Sequence, residues 1–181
     1  MKPLIANPVK YFVGALYSSE SLLEESVRLL TGRFSPTDLV SDSFPFDNTN
    51  YYDAEMGTPI FRKFFSFSDL ISPGFLAEAK LITNDIEDSL TVEDKRKVNL
   101  DIGYMDYDKV VLGSAKYGIH KIYLDKGIYA DMALHYEKGS YSSYPWAFMD
   151  FKFPDYYHFF LKMRIKYKSQ VKEMQSPGFL N

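Results

Sequence analysis

Seven consecutive residues, Tyr11–Tyr17 (YFVGALY), carry no charge at all. The run is too short to cross a bilayer, which takes about 20 residues as a helix. It also lacks the apolar–polar alternation of a half-exposed strand. It therefore reads as a central strand covered on both faces. The rest of the chain has to supply its neighbours and its cover.

Beyond Tyr17 the chain alternates between helical and strand periods. Ser18 and Ser19 are candidate N-caps, with Ser21 and Glu24 at capping-box spacing. Leu23, Val27, Leu30 and Phe34 recur at helical spacing, and Gly32 and Pro36 close that helix. Asp38–Phe46 predicts a second strand, with Val40, Phe44 and Phe46 on one face and Pro45 marking an edge or a bulge. Pro59–Phe67 predicts a third, with Phe61, Phe65 and Phe67 on one face. Ser72–Pro73 opens the clearest helix, in which Phe75, Ala79, Ile82, Ile86 and Leu90 hold the 3.6 period. Alternation returns from Lys97 to Ile102 as a fourth strand. The order is strand, helix, strand, strand, helix, strand. It predicts an α+β fold with a ferredoxin-like split βαβ core, an antiparallel sheet with helices on one face.

The remainder reads as an extension. Residues 109–116 (KVVLGSAK) predict a strand or a short helix. Lys121–Leu124 and Ile128–Tyr136 predict a hairpin closed by the three-residue loop Asp125-Lys126-Gly127, with Gly127 left-handed. Its apolar face is Ile122 and Leu124 with Ile128, Ala130, Met132, Leu134 and Tyr136. Lys138–Trp146 reads as a loop. Pro154 starts a last helix striped by Tyr156, Phe159 or Phe160, Met163, Tyr167 and Val171, and Ser176-Pro177-Gly178 marks a frayed tail. One domain over residues 1–181 is expected, with its core at about 10–104 and a C-terminal hairpin and helix at about 108–174.

Several chemistries can be set aside. With no cysteine, disulfides, iron–sulfur clusters and cysteine zinc sites are excluded. A formal charge of −3 gives no general pull towards nucleic acid, and the basic residues of the last helix are spread round it rather than aligned. No secretory or membrane-spanning segment is visible, so no membrane partner is expected and the chain reads as cytoplasmic. Gly113 and Gly118 have phosphate-loop spacing, but Ile119 and His120 stand where that loop needs Lys and Ser or Thr. His120, His135 and His158 form no metal-binding pair, and no GxSxG nucleophile elbow is present.

Two constellations remain. One is the loop Phe44–Gly57, dense in rings, amides and carboxylates: Asp47, Thr49, Tyr51, Tyr52, Asp53 and Glu55. It suits a ligand site, or a capped turn in which Asn48, Thr49 or Asn50 starts a short helix ended by Gly57. The other is the polar face of the fourth strand, Lys97, Asn99 and Asp101, with Arg96 just before it. That face is either solvated or, being opposite the helices of a split βαβ sheet, a ligand surface.

The strings Ser43–Gly57 (SFPFDNTNYYDAEMG), Arg96–Met105 (RKVNLDIGYM) and the stretch from Lys109 to Tyr136 resemble an uncharacterised bacterial family, domain of unknown function 4416. The resemblance implies one family unit over nearly the whole chain, and brings no established activity, cofactor or catalytic residue. Some members carry a GTP-binding label, for which the broken phosphate-loop spacing gives no support.

The leading expectation is a binding or accessory protein for a small polar or anionic ligand. Its site would lie between Asp47, Thr49, Tyr51, Tyr52 and Glu55 of the loop and Arg96, Asn99 and Asp101 of the strand, with Lys116 and His120 nearby. A metal-assisted hydrolase using Asp47, Asp53, Glu55 and Asp101 is the alternative. A third reading is a partner-binding module with an aromatic patch at Tyr141, Tyr144, Trp146 and Phe148. These residues imply no particular ligand, cofactor or oligomeric state.

Overall fold

A computed structural model describes residues 1–175. The chain runs β1 (Val9–Tyr17), α1 (Glu20–Arg33), β2 (Thr37–Val40), β3 (Phe44–Pro45), α2 (Asp53–Met56), β4 (Phe61–Ile71), α3 (Leu76–Ser89) and β5 (Val98–Met105). It continues through β6 (Lys109–Ser114), β7 (Ile122–Asp125), β8 (Ile128–Glu137), β9 (Ser140–Ser143) and α4 (Asp155–Met174). All nine residues of β1 are buried, between antiparallel β4 and β5. The sheet order is β2-β4-β1-β5-β6-β8-β7, with β3 beside β4 and β9 beside β8. The segment β2-β4-β1-β5, with α1 after β1 and α3 after β4, is the split βαβ core.

Alternation along β1 sorts the core into two layers. Val9, Tyr11, Val13, Ala15 and Tyr17 pack against Leu23 and Leu30 of α1 and Leu76, Ala79 and Ile86 of α3. Phe12, on the other face, meets Phe64, Phe159, Phe160 and Met163. The two core helices thus share one face, and α4 covers part of the opposite one. Each large apolar side chain removed from water in these layers contributes about 1.5–3 kcal/mol. A third, smaller cluster joins Leu16 to Phe46, Met56 and Ile60, and holds α2 and its loop against the uncovered part of the sheet.

Local details depart from the sequence pattern for identifiable reasons. The second strand is two pieces, and Val40 is 48% exposed instead of sharing a buried face with Phe44 and Phe46. A register shift between Thr37 and Leu39 turns Leu39 inward in its place. Residues 109–114 are strand, not helix. The β7–β8 turn has two residues, not three, because Asp125 pairs with Ile128. Lys126 (φ 51°) and Gly127 (φ 78°) are both left-handed, as a type I′ turn requires. Lys138 (φ 50°) and Gly139 (φ 91°) repeat this device, so the expected loop at Lys138–Trp146 contains β9. Its sequence, SYSS, has too little apolar content to announce a strand. β7 is exposed along its length, which removes Ile122 and Leu124 from the expected apolar face. Ser72 caps the turn at Pro73–Phe75 that leads into α3, by accepting from the Gly74 N–H at 3.3 Å. The expected tail at residues 176–178 lies outside the described residues. Among the described residues no helix is long and apolar enough to cross a membrane.

One irregularity shapes the rest of the molecule. β6 pairs with β5 only at Gly103–Met105, so the earlier half of β5 has no strand on that edge. Two side chains of α3 fill the gap. Lys80 Nζ donates to the Leu100 carbonyl at 3.0 Å, and Glu87 Oε1 accepts from the Leu100 N–H at 2.7 Å. They satisfy backbone groups that would otherwise be buried and unpaired.

Candidate functional site

The opened seam and the loop carrying α2 frame two adjoining cavities, of about 370 and 190 Å³. They share Tyr52, Asp101, Lys116 and Phe148. The larger has walls of Phe46, Tyr51, Tyr52, Phe148 and Met149 over a floor containing Arg62, Asp101 and Asp150. The smaller is bordered by Lys80, Glu87, Arg96, Asn99 and Lys121.

Arg62 organises the floor. It stands opposite Leu16 on β4, and Asp101 stands opposite Gly14 on β5, so both project from the face that α1 and α3 leave free. The guanidinium crosses β1 above Gly14, where a Cβ would lie 3.1 Å from Nη1. Nη1 donates to Gly14 O at 2.9 Å and to Asp101 Oδ2 at 2.7 Å, while Nε and Nη2 donate to Asp150 Oδ2 at 3.1 and 2.8 Å. Burial disfavours the Arg62 charge, but Asp150 and Asp101 outweigh it and raise its pKa. Burial likewise opposes ionisation of Asp101, yet Arg62 and Lys80 hold its carboxyl below the ordinary value.

Arg96 does the same work at the smaller cavity. It grips Glu55 with Nε and Nη2 at 3.2 and 3.0 Å, and its Nη1 donates to Glu87 Oε2 and Asn99 Oδ1, both at 3.0 Å. Lys97 Nζ adds a bond to the Glu55 carbonyl at 3.2 Å. The α2 loop is thereby tied to the start of β5. Lys121 donates to Ser114 Oγ at 2.9 Å and pairs with Asp131 at 3.2 Å. Lys116 differs: its Nζ sits 5.5 Å from the Tyr51 ring centre and 3.5 Å from the Tyr51 hydroxyl, and no carboxylate pairs with it among the described residues. Two buried amide atoms also lack a well-formed hydrogen bond among the described residues: Asn48 Oδ1 beside the larger cavity, and Asn99 Nδ2 beside the smaller, where it faces Asp101 and helps to hold that carboxyl low. The Tyr52 hydroxyl is pushed up to about 12, by burial first and then by the Asp101 charge.

The family model described as Domain of unknown function (DUF4416) matches residues 7–167, a span that includes every cleft residue named above. The chain belongs to this family. No curated protein and no solved structure gives a match.

In this DUF4416 chain, Thr49, Tyr51, Tyr52, Asp101 and Lys116 come together at the larger cavity, and Arg96 and Asn99 join Tyr52, Asp101 and Lys116 at the smaller. Glu55 reaches the cleft through Arg96. Two residues named from sequence stand apart. Asp47 is exposed, because its neighbour Phe46 takes the inward position against Leu16 and Met56. His120 is turned away by the Gly118–Lys121 bend; it stacks on Trp146 at 5.4 Å and lies 3.5 Å from Asp131.

The expected carboxylate cluster of Asp47, Asp53, Glu55 and Asp101 does not form. Asp101 and Glu55 are held by different arginines, and among the described residues no group of three or more His, Asp or Glu is placed to hold a metal. The aromatic patch is also redistributed. Tyr141 is buried and donates to Met105 Sδ at 3.3 Å, Tyr144 stacks on exposed Trp146, and Phe148 is a wall of both cavities. Gly113 lies within β6 against Lys80 and Leu76 of α3, and a strand follows it instead of a phosphate-binding helix.

Arg62 and Asp150 were not among the residues the sequence singled out. Their signal is charge set among large apolar residues, Arg62 beside Lys63 in PIFRKFF and Asp150 in WAFMDF. A charge in such a setting is buried only with a partner.

Proposed function

We propose that this DUF4416 chain is a cytoplasmic binding or accessory protein that holds a small anionic ligand in the two-chambered cleft. The observation that carries this reading is that Lys116, with no carboxylate partner among the described residues, borders the same chamber as the buried Asn99 Nδ2, which faces Asp101 without a well-formed hydrogen bond. A buried donor left without an acceptor costs about 1–3 kcal/mol, and a ligand oxygen would recover whatever part of that the poorly formed contact with Asp101 leaves. Arg62 and Arg96 are already neutralised by Asp150, Asp101, Glu55 and Glu87, so their part is to fix the floor and the loop rather than to receive the anion.

Calorimetric titration of the full chain with inorganic phosphate and with sulfate tests this. Binding at low ionic strength is expected, with affinity falling about tenfold or more in Lys116→Ala, the size of one lost charge-assisted hydrogen bond. Asn99→Leu should weaken it further. No binding of either anion would overturn the reading.

A further inference from the structure

We propose that the anion is one part of a larger ligand, a planar ring with N–H donors attached to a single phosphate-sized group, which is the chemistry of a nucleoside monophosphate. This rests on the cleft being an anion site. Its support comes from the other chamber.

The larger cavity asks for a flat molecule. Phe46, Tyr51, Tyr52 and Phe148 present rings to it, and Tyr51 and Tyr52 meet edge to face at 4.9 Å, so that their ring planes differ by 85°. Rings in a small chamber favour a ligand with π faces, since every planar heterocycle can stack on them.

Its polar groups ask for a donor. Asn48 Oδ1 is buried without a partner, and Asp101 and Asp150 are carboxylates that only accept when ionised. The Arg62 donors at this floor point at Gly14 O, Asp101 and Asp150. A ring whose edge carries N–H groups meets that demand; a plain hydrocarbon ring leaves Asn48 unpaired.

The two requirements belong to one molecule because the chambers share Tyr52, Asp101, Lys116 and Phe148. Lys116 stands at the junction, where it can hold the group that links ring to anion. Size narrows the class. The larger chamber, at about 370 Å³, is near the lower end of small-molecule sites. The smaller, at about 190 Å³, has one cation free of carboxylate partners among the described residues. A single phosphate fits that charge; a triphosphate would need more free cations.

Four probes separate this inference from the anion reading: inorganic phosphate, ribose 5-phosphate, and the monophosphates of adenosine and cytidine, each titrated calorimetrically into the full chain. At least one nucleoside monophosphate is expected to bind about tenfold or more tightly than ribose 5-phosphate. Phe148→Ala and Asn48→Leu should abolish that advantage, and Asn48→Leu, at a residue that borders only the larger chamber, should leave ribose 5-phosphate binding unchanged. Phe148 is 49% exposed, so the first substitution does not open the core. Equal affinity for ribose 5-phosphate and both nucleotides overturns the inference and leaves the anion site standing. An advantage that survives both substitutions places the ring elsewhere and also overturns it. Binding of none of the four overturns both readings.

Discussion

Arg62 and Asp150 lie 88 positions apart in the chain and meet at 2.8 Å, each side chain only 3% exposed. The pair joins β4 to the turn before α4, and so clamps the C-terminal helix over the sheet. Removing one partner of such a pair leaves a charge uncompensated in the interior. Asp150→Ala is expected to lower stability by about 3–5 kcal/mol, read as a shift of the denaturant midpoint. Glu25→Gln, which breaks the exposed Arg28–Glu25 pair, should leave that midpoint in place.

Gly14→Ala tests the close passage of Arg62 over β1. The added Cβ would lie 2.8 Å from Phe64 Cε1 as well as 3.1 Å from Arg62 Nη1. Phe64 is packed among Phe151, Tyr156, Phe159 and Phe160 and has little room to yield. A loss of about 1–3 kcal/mol is expected, together with weaker binding of any ligand that uses the Arg62 floor. Unchanged stability would show that the two side chains can move aside.

These two cases show why the fold was more legible than the site. The strand β1, the Ser72–Pro73 helix start and the stripe of α4 are written locally, because burial of one face imposes a period on neighbouring residues. The incomplete pairing of β5 with β6 is not. It depends on Lys80 and Glu87, which in a helix read as wet-side residues yet are only 8% and 4% exposed. Arg62 similarly reads as the polar side of a strand until chain closure delivers Asp150. The loop and strand residues were recognisable because they concentrate amides, rings and charges. Asp47 was indistinguishable from them, since an outward position is set by how Phe46 packs.

The pKa shifts give stability a defined dependence on pH at both ends. Asp101 titrates lower in the folded protein than its ordinary 3.8, so the unfolded chain takes up that proton first. Its contribution is present above about pH 4 and is lost as pH falls through the folded value. Tyr52 runs the other way. Its ordinary value is 10.0 and the folded one about 12, so its contribution is present below pH 10 and is lost as pH rises towards 12. Tyr156 and Tyr167, also at about 12 through burial, add to the alkaline limb. Ultraviolet titration of the phenols should show a late class, and Tyr52→Phe should shrink it and make the alkaline decline of stability shallower. A single tyrosine class near 10 would contradict this.

The seam itself is open to a more local measurement. Glu87 Oε1 takes the Leu100 N–H at 2.7 Å and Oε2 takes Arg96 Nη1 at 3.0 Å, while Lys80 lies 3.5 Å away and holds the Leu100 carbonyl. Glu87→Ala removes the acceptor from a buried backbone donor and the counter-charge from two cations. The expected cost is about 1–3 kcal/mol for the orphaned N–H, with more from the charges. If the side chain substitutes for a strand, the Leu100 amide should exchange with solvent faster in Glu87→Ala by a factor well beyond the global loss of stability. The Leu16 and Tyr17 amides, on the continuously paired strand β1, should follow the global loss alone. Because Glu87 also orients Arg96, and Arg96 holds Glu55, the same variant should loosen the α2 loop and weaken anion binding without touching Lys116. Exchange at Leu100 that tracks the rest of the sheet would mean that backbone pairing, not the helix, closes the seam.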